Sequence, residues 1–593
     1  MSREALGSEY KTCKAREVVM NYYDIKNELT KNGEIVTHIL ERWARQEKNR
    51  TFVYYGEEDR KYSFREFDQI TNSIGNALLS LGINKGDRIC VFLKNPLITS
   101  MVMFGIWKAG AVFCPINFNY KGQLLAYQIN DTDPRATFVE KELMPLLNDI
   151  KDLIKPIPVI VYTPKEGDHD YKPVLEGITL DTYFEEHFFV EMTKGDTSHV
   201  DVDLQYMDNA SIIYTSGTTG SPKGVVQTYR WLNNYVFNWR RIFNQEDVIY
   251  NDLPMYHVAG AFFNLVRAAW VGCECAMWDK FSVKDFWSRI AKSNSTSAVL
   301  LDVMVPWLIN PPESAADYKN TLNKVYMAPM PQYHHDVAKR FGFDFVITGF
   351  GQTETGSGSI CIIDELDGEQ GTPPELYKGM SKEEIIAIAR KFDIHVVDAK
   401  KDETKGILGK PSLLFEANIL DDFDEECPPG QAGELVFRPK FPSLFVKEYF
   451  KKPEATLRAF RNLWFHTGDA CFKNEDGVYF FVDRMGSVIR VKGEFVSSYQ
   501  VEDIINGHPK VNICGVFPIP AEVGNEQDIV TFIVPNPGEQ LGEEEMREWI
   551  KEAMPKFMWP KYIRFVEQLP ETPTNKIEKY KMREQIKKEL GIE

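Results

Sequence analysis

The chain has 593 residues, 43% of them apolar and 26% charged, and a formal net charge of −17. That length exceeds what one hydrophobic core usually organises, so two or more domains are expected, and the composition is that of a soluble globular protein. The negative charge argues against a general binder of nucleic acid or anionic membrane, and it requires any anionic ligand to be held by locally placed donors.

No apolar segment follows the opening Met1-Ser2-Arg3-Glu4-Ala5, which does not read as a secretory signal. Residues 64–81 have helical periodicity that stops at Gly82, a natural helix terminator. Residues 88–93 form a near-continuous apolar strand, 96–109 a helix and 111–114 a second buried strand. The most apolar window, 101–116, is interrupted by Lys108 and is too short to span a bilayer. Residues 298–301 and 345–347 repeat the strand pattern, the second leading into Gly349-Phe350-Gly351-Gln352-Thr353-Glu354-Thr355. Apolar strands separated by helices imply parallel sheets covered on both faces, with ligand loops at the strands' carboxyl ends.

The polar stretch 363–406, with a helix over 381–392, reads as a surface insertion, a lid or oligomer contact being the alternative. Residues 434–438 alternate like a strand after a turn at Pro428-Pro429-Gly430. From about Gly486 the pattern is compact α+β: helix 499–505, strands 513–517 and 529–534, helix 543–553. The expected division is 1–484 and 485–593. Nine cysteines, scattered apart from Cys273-Glu274-Cys275, have no metal-site spacing and fit reduced thiols in a cytoplasm. The histidines form no ligand cluster, and His334 and His335 are expected to point apart on a helix.

The densest chemical signal is Thr215-Ser216-Gly217-Thr218-Thr219-Gly220-Ser221-Pro222-Lys223-Gly224, set between the apolar runs 211–214 and 225–226. Glycines let successive N–H groups turn inward around an anion, the hydroxyls add neutral donors, and Lys223 adds a positive charge. A phosphate chain suits such a loop. It is not a Walker A loop, because Ser221 and Pro222 follow Gly220 and no hydroxyl follows Lys223. By composition alone, a Ser/Thr/Gly-rich stretch is a flexible connection.

In its order of residues this loop resembles the signature loop of the adenylate-forming superfamily, which includes acyl-CoA synthetases. Four further segments resemble that family in its own order: 349–355; Trp464-Phe465-His466-Thr467-Gly468-Asp469; Asp483-Arg484 with Val488 to Gly493; and Pro573-Thr574-Asn575-Lys576-Ile577. The resemblance spans roughly residues 50 to 590 and is nearest to crotonobetaine/carnitine–CoA ligases. It implies an α/β fold: a large N-terminal domain of parallel or mixed sheets flanked by helices, a β-barrel-like part, and a small mobile α+β C-terminal domain. It also implies ATP, Mg²⁺ and CoA, and a reaction in which a carboxylic acid becomes an acyl adenylate and then a thioester.

The residue roles carried by the resemblance answer a demand for charge neutralisation. Thr215, Ser216, Gly217, Thr218, Thr219, Gly220 and Lys223 would wrap the β- and γ-phosphates. Thr353 would hold the α-phosphate, and Glu354, with Thr219, the Mg²⁺ ion. Gly349, Phe350, Gly351 and Gln352 would line the nucleotide, Phe350 lying against adenine opposite Ala328 and Pro329. Asp469 would accept from the ribose hydroxyls and Arg484 donate nearby. Lys576 would reach over from the small domain during adenylation, and Lys492 and Gly493 would be presented for the thiol step.

His257 lies in a segment that resembles the gate of the acyl pocket, a core histidine being the equal alternative, and His466 reads as structural. Trp231, Asn234, Asn238, His257 and the small run from Gly356 to Ser359 would form the acyl pocket. Its aromatic residues suit a trimethylammonium group or an aryl or alicyclic acid, or are simply core. Gly486 stands where the family's hinge usually has Asp or Lys, and Asn575 where it usually has Gly; both tolerate the backbone required. Only a short tail follows Lys576, so a stand-alone enzyme is expected, acting on a small carboxylic acid without nucleic acid or a membrane span, with a homodimer left open. The rival readings are an adenylate-former that loads a carrier protein or oxidises its product as luciferases do, a ligase specific for crotonobetaine or carnitine, and a silent nucleotide-binding protein.

Overall fold

The structure, a computed structural model, describes residues 20–165, 175–215, 222–301, 304–366, 371–400, 404–485, 489–491, 494–496, 498–521, 527–571 and 577–592. Two large sheets dominate. The smaller has seven strands in the order Glu185–Phe188, Pro158–Tyr162, Ala136–Glu140, Arg88–Phe92, Val112–Pro115, Asn209–Thr215 and Lys223–Thr228. All its pairings are parallel except the last, a hairpin. The larger has fourteen strands, with a parallel stretch through Glu274–Met277, Val248–Asn251, Ser297–Leu300, Lys324–Met327 and Phe345–Thr348.

Between the sheets lies the helix Pro96–Lys108, every residue of which is buried. Its even coating of apolar side chains is what a helix covered on all sides requires. Asn95 caps it, accepting the N–H of Ile98 at 3.0 Å, and Pro96 stands at the first turn where its missing N–H costs nothing. Against it packs Phe64–Ser80, whose N-terminus is closed by a capping box of Ser63 and Glu66. The helices approach so closely that a Cβ on Gly105 would lie 2.4 Å from Cγ2 of Ile74. Lys108, the charge that interrupts this apolar run, is 2% exposed and bonds Asp68 Oδ1 at 2.5 Å and Asn72 Oδ1 at 2.6 Å. Among the described residues no helix is long and apolar enough to cross a membrane.

Three expectations are corrected. The strands Ile407–Pro411, Tyr479–Arg484, Phe465–Lys473, Gly433–Pro439 and Phe415–Leu420 pair antiparallel in that order. Among the described residues the last does not pair back onto the first; the first pairs instead with Ser359–Asp364 of the large sheet. The barrel-like part is therefore an open extension of that sheet, its would-be closing edge already used.

The 363–406 stretch is not merely superficial. Ile363 and Asp364 end a fully buried strand, and His395–Asp398 adds a parallel strand to it. The helix Lys382–Lys391, boxed by Ser381 and Glu384, buries Ile385 and Ala389 in the main core.

His334 and His335 do not diverge. The Nδ1 of His334 bonds Oε1 of the buried Glu365, while His335 Nδ1 lies 3.0 Å from Oε2 of the same carboxylate. His334 Nε2 reaches Thr404 Oγ1 at 2.8 Å, so both ends of the 365–404 segment are fastened to one helix N-terminus. A helix separates adjacent Cβ directions, but one bidentate acid gathers both rings.

After residue 485 the chain forms the sheet Val511–Pro520, Gln527–Pro535 and Tyr562–Phe565 with the helices Ser498–Asn506, Glu543–Ala553 and Lys579–Leu590. It carries its own clusters of buried residues, one centred on Val501, Ile533 and Met546. The eight cysteines among the described residues are all buried.

Breaking an ion pair costs most when the charge left behind is the more deeply buried one, and the Lys108 side chain is 1% exposed against 16% for Asp68. Asp68→Ala is expected to cost about 3 kcal/mol by stranding the Lys108 ammonium, and Lys108→Met much less; denaturant unfolding of both variants checks the asymmetry.

Candidate active site

The putting-together of this site starts with a hairpin. Strand Asn209–Thr215 pairs antiparallel with Lys223–Thr228, Thr215 opposite Lys223, and Thr215 Oγ1 donates to the Lys223 carbonyl at 3.4 Å. The tip that joins them, with Ser216, Gly217, Thr218, Thr219 and Gly220, lies outside the described residues, as do Lys492, Gly493, Lys576 and the hinge position Gly486.

The outer edge of the hairpin is covered by residues 446–450. The N–H of Val226 donates to the Glu448 carbonyl at 3.0 Å, that of Lys447 to Val226 at 2.9 Å and that of Phe450 to Gly224 at 2.8 Å. The N–H of Val446 turns the other way and donates to the carbonyl of Glu354 at 2.7 Å.

Glu354 sits on the tip of a two-pair hairpin, Gly351 opposite Ser357 and Gln352 opposite Gly356. The carbonyls of that tip are taken in order by three side chains. Gln227 Nε2 donates to Thr353 at 2.9 Å, Trp231 Nε1 to Glu354 at 3.0 Å and Asn234 Nδ2 to Thr355 at 3.0 Å. Positions 227, 231 and 234 share one face of the helix Tyr229–Val236 and its approach. Gly356, at φ +69°, leaves the space that Asn234 occupies: a Cβ there would lie 2.7 Å from its Nδ2. Gly349 is required for a similar reason, since its Cβ would lie 2.4 Å from the Ser359 carbonyl. With its backbone fixed so, the Glu354 side chain has one defined direction.

Its carboxylate is held by a residue that the sequence motifs do not contain. Tyr449 Oη donates to Glu354 Oε1 at 2.9 Å, and the Lys223 ammonium stands 4.4 Å from the centre of the Tyr449 ring. Burial pushes the pKa of Glu354 up, against the Tyr449 hydroxyl and the more distant charges of Lys223 and Arg484, which favour the ionised form. An acid that is buried and short of positive charge suits a hard cation. Among the described residues no group of three or more His, Cys, Asp or Glu could hold a metal by itself. A Mg²⁺ ion that takes one carboxylate and draws its other ligands from phosphate and water fits this donor set.

A second acid lies beyond Gln352. Gln352 Nε2 donates to Asp469 Oδ2 at 2.6 Å and to the Thr467 carbonyl at 2.9 Å. Arg484 is the cross-strand partner of Asp469, its Nε 3.7 Å from Oδ1. Burial pushes the Asp469 carboxyl up to about 6, with Arg484 and Gln352 pulling the other way. The preceding turn is fastened by Glu434, whose carboxylate binds His466 Nδ1 at 2.8 Å and the N–H of Gly468 at 2.9 Å. His466 is thus structural.

The remaining candidates are placed less directly. Phe350 is 7% exposed, its ring 5.5 Å from that of Phe437, so it is built into the core with little face free. Ala328 and Pro329, joined by a cis bond, follow the strand Lys324–Met327 and are half-buried and exposed. His257 is half-buried, its Nδ1 accepting the N–H of Ala259 at 3.4 Å at the start of the π-helix Ala259–Val266. Trp231 and Asn238 are 0% and 2% exposed. Below Ser357, whose Oγ accepts the Trp239 indole N–H at 3.0 Å, the rings of Trp239, Phe263 and Tyr326 meet with centres 4.9 to 5.1 Å apart.

The family model described as AMP-binding enzyme matches residues 40–445, and that described as AMP-binding enzyme C-terminal domain matches residues 500–576. The chain belongs to the AMP-binding enzyme family. Among relatives of this AMP-binding enzyme is the crotonobetaine/carnitine–CoA ligase of Salmonella agona, 28% identical over 525 residues that cover 87% of this chain and 92% of the relative. Among solved structures, an anthranilate CoA ligase with bound anthranoyl-AMP has a TM-score of 0.76 at 22% identity, covering 94% of this chain and 98% of that one. The o-succinylbenzoate CoA synthetase of Bacillus subtilis, with ATP and magnesium, has a TM-score of 0.70 at 20% identity, covering 93% and 99%. The large sheets and smaller C-terminal part of this AMP-binding enzyme are thus the fold of AMP-forming ligases.

A carboxylate whose pKa is raised by folding binds its proton more tightly in the native state, so its contribution to stability falls as pH rises from the unfolded pKa through the folded one. Glu354→Gln is expected to melt above the parent protein at neutral pH, the gap closing towards about pH 4. Tyr449→Phe is expected to cost about 1–2 kcal/mol, and much less in the Glu354→Gln background; a double-mutant unfolding cycle reads that coupling.

Proposed function

We infer that this AMP-binding enzyme is an AMP-forming acid–CoA ligase, and propose that the residues gathered around the 215–223 hairpin carry its first half-reaction. The observation that carries the assignment is the linkage of Lys223, Tyr449 and Glu354 at the mouth of a hairpin whose tip is rich in donors.

In the first step one oxygen of the acid's carboxylate attacks the α-phosphorus of ATP. The bond from that phosphorus to the bridging oxygen breaks, and pyrophosphate leaves with the electron pair. Two anions must meet in a protein that is itself negative, so fixed local cations and donors set the rate. Lys223 is proposed to leave the Tyr449 face for the β- and γ-phosphates. Thr353, its carbonyl pinned by Gln227, offers its hydroxyl to the α-phosphate. Glu354, with Thr219, would hold Mg²⁺, which when bound shares the phosphate charge. Asp469 and Arg484 are proposed to hold the ribose, and Gly349, Gly351 and Gln352 to form the floor beneath the nucleotide. In the second step the CoA sulfur attacks the acyl carbonyl, the bond to AMP breaks, and AMP leaves.

The division at 484/485 is proposed to let Lys576 serve the first step and the 490–493 segment the second. For the acid, the aromatic layer of Trp239, Phe263 and Tyr326 below Ser357 supports a compact substrate, aryl or alicyclic, over a long acyl chain. The scattered, buried thiols support a cytoplasmic location.

The deciding experiment incubates the protein with ATP, Mg²⁺, CoA and one acid at a time (benzoic, cyclohexyl, short fatty, crotonobetaine, carnitine) and follows AMP and thioester by mass spectrometry. At least one acid is expected to give both. Pyrophosphate exchange without thioester would favour a carrier-loading enzyme, and no exchange with any acid sinks the assignment. Within the active pair, Glu354→Gln is expected to slow adenylation by about 10²–10³. Because burial pushes the Asp469 carboxyl up to about 6, the KM for ATP is expected to rise as pH falls through that value, and Asp469→Asn to flatten this limb while raising KM throughout.

A further inference from the structure

The strand Tyr479–Arg484 ends at the junction with two adjacent side chains that face different partners. Arg484 lies beside Asp469. Asp483, 5% exposed, accepts the N–H of Arg484 on Oδ1 at 2.7 Å. Its Oδ2 accepts both the N–H and the Oγ–H of Ser498, each at 2.7 Å. Ser498 is fully buried and opens the helix Ser498–Asn506. Its hydroxyl oxygen in turn accepts from Lys579 Nζ at 2.8 Å, and the same ammonium lies 2.8 Å from Glu502 Oε1. Glu502 Oε1 also takes the N–H of Val516 at 2.6 Å. Four side chains therefore run unbroken from the strand beside Asp469 to the helix Lys579–Leu590, which begins three residues after Lys576.

Lys579 is the cation between two acids: without it, Asp483 and Glu502 would repel each other in a dry setting, and burial already raises the pKa of Glu502. Ser498 relays between them, donating to one acid while accepting from the cation. Bonds of 2.7 Å are lost when the partners part by an ångström or two. Asp483 lies before the junction, and Ser498, Glu502 and Lys579 after it. In the two-step reading, a swing of the C-terminal part about the junction would carry Ser498 away while Asp483 stays in its strand, so the contact would belong to one arrangement only.

We propose that Asp483, Ser498 and Lys579 are positioning residues that form a latch across the junction, and that the latch sets the balance between the adenylate-forming and thioester-forming arrangements of this protein. The inference rests on the two-step reading above. A buried, charge-assisted hydrogen bond that exists in only one of two states biases their ratio by roughly tenfold. Residues that served only to hold the fold together would lower both half-reactions alike.

The test uses the full-length protein and measures the two steps apart: acid-dependent ATP–pyrophosphate exchange, and single-turnover thioester formation from purified acyl adenylate and CoA. Ser498→Ala, Asp483→Asn and Lys579→Met are expected to shift the ratio of the two rates by about tenfold, all in the same direction. Ser498→Thr and Lys579→Arg are expected to restore it to within about twofold, since each keeps the donor the latch needs. An unchanged ratio, a parallel loss of both rates, or shifts of opposite sign overturn the latch. A second readout needs no substrate: tryptic cleavage after Arg484, Arg490 or Lys492 is expected to quicken about tenfold in the three loss variants, and equal cleavage also overturns it. If the parent protein forms no adenylate, the assigned function fails, and the cleavage rates still decide the latch.

Discussion

The placement of one carboxylate, that of Glu354, is the constraint that the rest of this molecule accommodates. Glu354 is oriented by an accounting of backbone carbonyls, three in succession, each met by a donor from the 227–234 face. Leaving such carbonyls unmet in a buried turn costs about as much as several lost hydrogen bonds, so the helix Tyr229–Val236 cannot shift without releasing the tip. The side chain is then held by the Tyr449 hydroxyl, and the Lys223 ammonium sits over that same tyrosine's ring. The arrangement keeps a charged acid in place while leaving its demand for a cation open, which is what a site for a metal-bound polyanion requires.

Much of the scaffold was legible because its signals are local. The helix over 381–392 was readable from a serine cap and a glutamate three residues on, and both halves of that box are formed. The helices at Phe64–Ser80 and Glu543–Ala553 follow apolar spacing, and the buried strands at Arg88–Phe92 and Phe345–Thr348 follow unbroken apolar runs. The errors share a different cause. Whether five antiparallel strands close depends on which edge is already paired, and the pairing of Ile407–Pro411 with Ser359–Asp364 is not encoded within either strand. Likewise the polar look of 363–406 reflects its outer face, while Ile385 and Ala389 turn inward.

The site shows the same limit more sharply. Tyr449 is separated from Glu354 by 95 positions and lies in a segment with no glycine-rich signature. Its sequence cue is a pair of aromatics, Tyr449 and Phe450, in an otherwise charged stretch, Lys447-Glu448-Tyr449-Phe450-Lys451-Lys452. Phe350 shows the converse. The motif names the position, but a ring without a hydroxyl has no polar end to keep near the surface, and Phe437 and the space left by Gly358 draw it inward. A motif carries residue identity and order; which way a side chain packs is decided by neighbours that the motif omits.

The strand Tyr479–Arg484 shows how such neighbours can join two tasks. Successive side chains of a strand point to opposite faces. Arg484 therefore addresses Asp469 on the side proposed for the nucleotide while Asp483, one residue earlier, addresses Ser498 on the other. A displacement of Ser498 releases one oxygen of Asp483 yet leaves its bond to the Arg484 N–H, so the strand end keeps its shape. The cross-strand pairings of Asp469 with Arg484 and of Ala470 with Asp483 hold it from the other edge. The C-terminal part can thus change its hold on Asp483 without disturbing the side chain that faces Asp469. Rigidity of the strand and reversibility of the contact are both needed, and alternation along two residues supplies them.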